Sequence, residues 1–136
     1  RTNNPDAMNR DLHNAISTAV SVAPAANRAA TTNGTGIDLA GYRSAVALVQ
    51  FGTVTDGTWT PTIEESDDNS SFATATDISG SFTATTSSND ETVQEVSYTG
   101  TKRYIRVVMT ETVASTTGAL FNALIVRGNP ISKPAT

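Results

Sequence analysis

The stretch KRYIRVVMTETV (Lys102–Val113) alternates along most of its length: Ile105, Val107 and Met109 share one side, and Tyr104, Arg106, Thr110 and Thr112 the other. Val108 is the exception. A repeat of two marks a half-buried strand, because successive side chains leave a strand on opposite faces. β-branched and aromatic residues fill the stretch, as they fill pleated surfaces generally. Arg103 has the parity of Ile105 but stands at the start of the strand, a rim position.

The same reading extends outward. GALFNALIVRG (Gly118–Gly128) is apolar on both faces, and so is SAVALVQF (Ser44–Phe51), with Val46 and Leu48 on one side and Ala47, Val49 and Phe51 on the other. That pattern predicts a central strand covered on both sides. Asp56-Gly57 is a tight-turn signal. In TWTPTIEES (Thr58–Ser66), Trp59 and Ile63 point inward while Thr60, Thr62 and Glu64 point outward. Pro61 lacks an N–H, which places this strand near an edge or at a bulge. Phe72, Ile78 and Phe82 are apolar anchors in a Ser/Thr-rich meander, and Val96 and Tyr98 point inward from ETVQEVSYTG (Glu91–Gly100). Strand signals recur about every 10–15 residues with turn residues between them, which predicts an all-β antiparallel sandwich, jelly-roll or immunoglobulin-like.

At 136 residues the chain is one domain. Its β-sandwich is expected over residues 37–128, with a C-terminal tail over 129–136. Residues 1–36 read as an irregular arm carrying at most a short helix, since Met8, Leu12, Ala15 and Ile16 have near-helical spacing before Pro24 and APAANRAATTNGTG break it. The Ala- and Val-rich stretch near residues 19–23 suits the addition of a strand to a neighbour.

EESDDNSSFATATD (Glu64–Asp77) packs four acids into five positions and poses the chemical question. An EF-hand loop counted from Asp67 has oxygens at Asp67, Asn69 and Ser71 but fails at Phe72, where glycine is needed, and at Ile78, where a bidentate glutamate is needed. A calcium site of another kind at Asp67, Asp68 and Asn69 stays open. Glu64 and Glu65 are adjacent and point to opposite faces of a strand, so they form no acid–base pair. Short polar side chains from Ser66 to Ser70 instead suit a turn, which makes the stretch a hairpin tip.

No enzyme is expected. The sole histidine, His13, lies in the arm, and no nucleophile–base constellation surrounds it. Gly34 and Gly36 are followed by Leu39 where a dinucleotide fingerprint needs its third glycine. No cofactor is expected either. A net charge of −4 argues against a nucleic-acid partner. No apolar run approaches the roughly 20 residues of a membrane span. Without cysteine there are no disulfides or thiolate metal sites. Lys102, Arg103 and Arg106 read either as a contact patch for an acidic partner or as a solvated sheet face with a salt bridge or two. Tyr104 and Arg106 share a side and can stack or meet a carboxylate across strands.

The run from Ile37 to Asp77, followed by YTGTKRYIRVVMT (Tyr98–Thr110), resembles a group of small tailed-bacteriophage virion-associated proteins. The shared pattern is an IDL-GY opening (Ile37–Tyr42), a DGT-TP-I-ESDD-S-F hairpin (Asp56–Phe72), a G-KRYIRV strand (Gly100–Val107) and the ending VRGNPISKPA (Val126–Ala135). The resemblance spans residues 37–135 and implies a non-enzymatic structural protein of the virion, of head decoration, cement or spike-base type. It implies synthesis in the host cytoplasm, a place on the capsid surface, and the major capsid protein or other virion proteins as partners. Homo-oligomers, trimers at local axes among them, suit a closed shell. Attachment is then expected through Met8, Leu12, Ile16, Val20 and Val22 of the arm and through the C-terminal tail, with Tyr104 and Arg106 as a second contact face. Two other expectations compete. One is a tail or head–tail connector component. The other is a glycan-binding β-sandwich, since KRYIRV loosely resembles a strand of discoidin-like modules; such sites favour exposed aromatics, and Trp59 points inward.

Overall fold

A computed structural model describes residues 11–132 of the chain, and Met8 lies outside them. Ten strands follow in order: β1 (Ile16–Val22), β2 (Thr32–Asn33), β3 (Ile37–Asp38), β4 (Tyr42–Val54), β5 (Thr58–Ser66), β6 (Ala73–Thr74), β7 (Ile78–Ser79), β8 (Val93–Tyr98), β9 (Tyr104–Val113) and β10 (Ala119–Pro130). They form two antiparallel sheets, one ordered β1-β10-β4-β8-β7 and the other β2-β9-β5-β6, with β3 also paired to β9. Among the described residues there is no helix.

The pairs are nested. β5 pairs with β6, β4 with β8, β2 and β3 with β9, and β1 with β10, so the chain doubles back on itself about the turn at residues 67–72. Successive pairs fall in alternate sheets. A two-stranded ribbon wound in this way is a jelly roll. The alternative sandwich, the immunoglobulin type, has a different strand order.

Between the sheets lie Ala45, Ala47, Val49 and Phe51 of β4 and Ala119, Phe121, Ala123 and Ile125 of β10, facing Trp59 and Ile63 of β5 and Ile105, Val107 and Met109 of β9. On β4 and β10 small alanines alternate with bulky Phe51, Phe121 and Ile125, a mixture of sizes that suits close packing against the second sheet. Trp59 and Phe121 pack with ring centroids 5.3 Å apart and planes tilted by 46°, and the Trp59 Nε1 donates to the Asp56 carbonyl at 3.1 Å.

Three expectations change in the structure. The sandwich begins at Ile16, not residue 37: β1 pairs with β10 from Ile16↔Gly128 to Val22↔Ala123, so the Ala- and Val-rich stretch adds a strand to its own sheet. Short polar and apolar residues alternate there, and the long β10 offers them an edge. Leu12 to Ala15 form a turn, with the Asp11 carboxylate accepting from the Asn14 side chain at 2.9 Å. Secondly, the Asp56-Gly57 turn is present, with Gly57 at φ 83°, but it carries the chain from one sheet to the other and joins no hairpin. Thirdly, Phe72 and Ile78 lie outside the core, and of the three meander anchors Phe82 alone packs against it.

Pro61 sits where the missing N–H costs nothing. Trp59 exchanges both backbone hydrogen bonds with Thr85 on the side of β5 away from β9, and Ile63 accepts from Ala75 there. Pro61 has the parity of both residues, so its nitrogen faces the gap between those contacts.

Candidate functional site

The acid-rich stretch resolves into a self-capped turn. The Ser66 hydroxyl donates to Asp68 Oδ1 at 2.9 Å and accepts from the backbone N–H of Asp68 and Asn69. Asp68 Oδ1 also accepts from the N–H of Ser71 and of Ser70, each at 2.9 Å. Those donors, Ser71 first, hold the Asp68 carboxyl below the usual aspartate range. Asn69 takes the left-handed backbone conformation, φ 60°, that asparagine tolerates in turns. Asp67 pairs with the Lys102 ammonium at 2.7 Å. Glu64 and Glu65 diverge: Glu64 accepts from Arg106, while Glu65 accepts from the Tyr98 hydroxyl at 2.7 Å. Among the described residues no three acidic or histidine side chains converge as a metal site requires.

The basic cluster is internally matched. Arg106 donates twice to Glu64 Oε1, at 2.6 and 2.9 Å, from the directly opposite position on β5, and its guanidinium lies 4.1 Å from the Phe72 ring centre. Arg103 makes a two-pronged contact with Asp38 at 2.9 and 3.0 Å and lies 5.2 Å from the Tyr104 ring. Arg106 thus meets a carboxylate across strands, and Tyr104 stacks on Arg103 instead of on Arg106. The Arg103 hydrogen bonds keep the Asp38 carboxyl below its usual range. Beside this cluster, a depression of about 240 Å³ is lined by Leu39–Ala45 and by Tyr98 and Gly100–Arg103. Its lysine and both of its arginines already have partners, Arg43 reaching the Pro130 carbonyl at 3.3 Å.

The expected attachment residues separate. Leu12 is exposed in its turn, Ile16 is half-buried and Val20 is 48% exposed on the outer side of β1. Val22 is in the core, because a bulge between Val20 and Val22 swaps the side on which the strand's last residue falls. It cannot serve as an attachment residue. Trp59 is wholly buried, so a glycan surface on this chain would have to do without its tryptophan.

One surface was misjudged in the sequence. The outward side chains of β4 and β10, read as covered, have no second layer over them among the described residues. Val46 lies opposite Val126, and Leu48 opposite Leu124, which in turn faces Val20. Leu120 and Val93 extend the patch with exposures of 38% and 60%. The outward positions of β1, β4 and β10 include Thr18, Ser44, Gln50 and Asn122 but no charge; Glu95 on β8, opposite Leu48, is the first reached. The two-faced apolar pattern was visible, and its cause was open: burial and an interaction face leave the same trace in sequence. No protein-family model matches the chain, and no curated protein matches it.

Proposed function

We propose that the protein is a non-enzymatic structural component of a bacteriophage particle, a decoration or cement protein bound to the head surface. The observation that supports this reading is the uncharged, largely apolar outer face formed by β1, β10 and β4. A broad, flat, apolar surface suits a protein partner, whereas small-molecule sites are concave. The phage setting comes from the resemblance over residues 37–135. A protein that binds the assembled shell and not its free subunits shifts the balance toward the shell, which is the work of cement.

Quantitative mass spectrometry of purified virions from the source tests the setting. A copy number near that of the major capsid protein is expected. About a dozen copies would move the protein to a vertex, connector or tail, and its absence would overturn the virion reading. Leu124→Glu then tests the face: it places a charge at the centre of the patch, and binding to heads lacking the protein is expected to fall at least tenfold.

A further inference from the structure

We infer that two copies of the chain pair edge to edge through β1, antiparallel about a two-fold axis at Thr18. Sheet edges carry unpaired N–H and C=O groups and pair readily with other strands unless they are short, charged, broken by proline or covered. Among the described residues the other edges meet these conditions. β7, β2, β3 and β6 are two residues each. The uncovered part of β5 holds Pro61 between the Thr85 and Ala75 contacts. Beyond β7, the side chain of Gln94 on β8 bonds the backbone of Thr83.

β1 is different. Its seven residues, Ile16–Val22, contain neither a charge nor a proline. Among the described residues only Ser21 has a backbone partner on the side away from β10, through Thr35. The bulge turns the strand's end toward the second sheet and leaves Ile16–Val20 as a regular edge.

The occupant follows from the same residues. A two-fold axis normal to the sheet sets a central residue opposite its own copy. At Thr18 this places Ile16 against Val20 of the second copy, Ser17 against Ala19, and Thr18 against itself. Thr–Thr and β-branched pairs are favourable cross-strand neighbours. The pairing would cover part of Val20, now 48% exposed. It also joins the two apolar faces on one side of a continuous sheet. Each chain carries a net charge of −4, so copies repel unless charge is kept from the contact, and β1 keeps it away. Five paired residues make a small interface, well under about 1,200 Å² in total, and therefore a weak dimer in dilute solution. Crowding copies on one surface would raise their effective concentration and strengthen it.

The chain has no cysteine, so a single introduced thiol reports on proximity. Directly opposed residues of antiparallel strands are about 4.5–5.5 Å apart at Cα, within disulfide range. Under mild oxidation the full chain carrying Thr18→Cys is expected to form covalent dimer at least tenfold faster than one carrying Glu95→Cys. Sedimentation of the unmodified chain should show mass rising toward a dimer between micromolar and millimolar concentration. Thr18→Lys should abolish that rise with its melting temperature unchanged. Equal cross-linking rates, or a monomer throughout the range, would overturn the inference. So would protected amides at residues 16–20 in a monomer, since the edge would then be covered by the chain itself. These readouts need no particle, so they fail or succeed independently of the virion reading.

Discussion

Ser21 is one of the side chains that tie the two sheets together. It is 4% exposed, and its hydroxyl accepts from the Val107 N–H and donates to the Thr35 carbonyl, both at 3.0 Å. Beside it, Gly34 donates its N–H to Val107 at 2.8 Å, and a Cβ there would stand 2.9 Å from the Ser21 carbonyl oxygen. Ser21→Ala leaves the buried Val107 N–H unsatisfied, and urea denaturation is expected to show a loss of about 1–3 kcal/mol. Tyr98 is a second buried polar group, donating to Glu65 and accepting from the Lys102 N–H at 3.0 Å. Burial and then the Glu65 carboxylate raise its pKa to about 12. The folded state therefore favours the protonated phenol. That contribution is complete below the ordinary tyrosine pKa near 10 and is lost as pH rises through about 12, so the melting temperature should fall across this window. In Tyr98→Phe the alkaline fall should be smaller. The inward placement of Trp59, Ile63, Ile105, Val107 and Met109 was legible, because alternation is a local property. The role of Ser21 was not, because it depends on Val107, 86 residues away.

At the scale of elements, β1 shows how one bulge redistributes the tasks of neighbouring residues. Val20 lies outward and Val22 inward, with exposures of 48% and 2%. Val22→Ala removes buried methyl groups and is expected to cost about 2 kcal/mol by thermal or urea unfolding. Val20→Ala should stay within about 0.5 kcal/mol. If both cost the same, the register of β1 is wrong. Sequence could place a strand-forming stretch near residues 19–23, yet it could not assign its partner, since pairing with β10 joins segments from opposite ends of the chain. The 67–72 turn was easier to read, because Ser66 and Asp68 cap it with bonds no more than three residues long. The face formed by β4 and β10 was legible as composition and misread as burial, since only the strand order reveals that no layer lies above it.

The whole molecule is a ribbon rolled from its middle, with β1 and β10 as the outermost pair. Deletion of residues 1–22 removes the outer partner of β10, the Ser21 tie and Val22 of the core. It is expected to abolish cooperative thermal unfolding, followed by circular dichroism; an independent arm over residues 1–36 would leave that transition intact. Nesting also governs the order of events during synthesis. Each strand emerging before the 67–72 turn waits for a partner made later, and those made first wait longest. Topologies rich in such distant pairings fold in milliseconds to seconds. A ribosome adds roughly 5–20 residues each second, so β4 stays without β10 for several seconds while the chain grows. A nascent chain stalled before Ala119 therefore has every strand of the β2-β9-β5-β6 sheet but leaves β1 without its partner and one edge of β4 open, with no closed core. The time taken to reach and complete β10 is therefore expected to set how long the unfinished sheet stays open to proteolysis during synthesis.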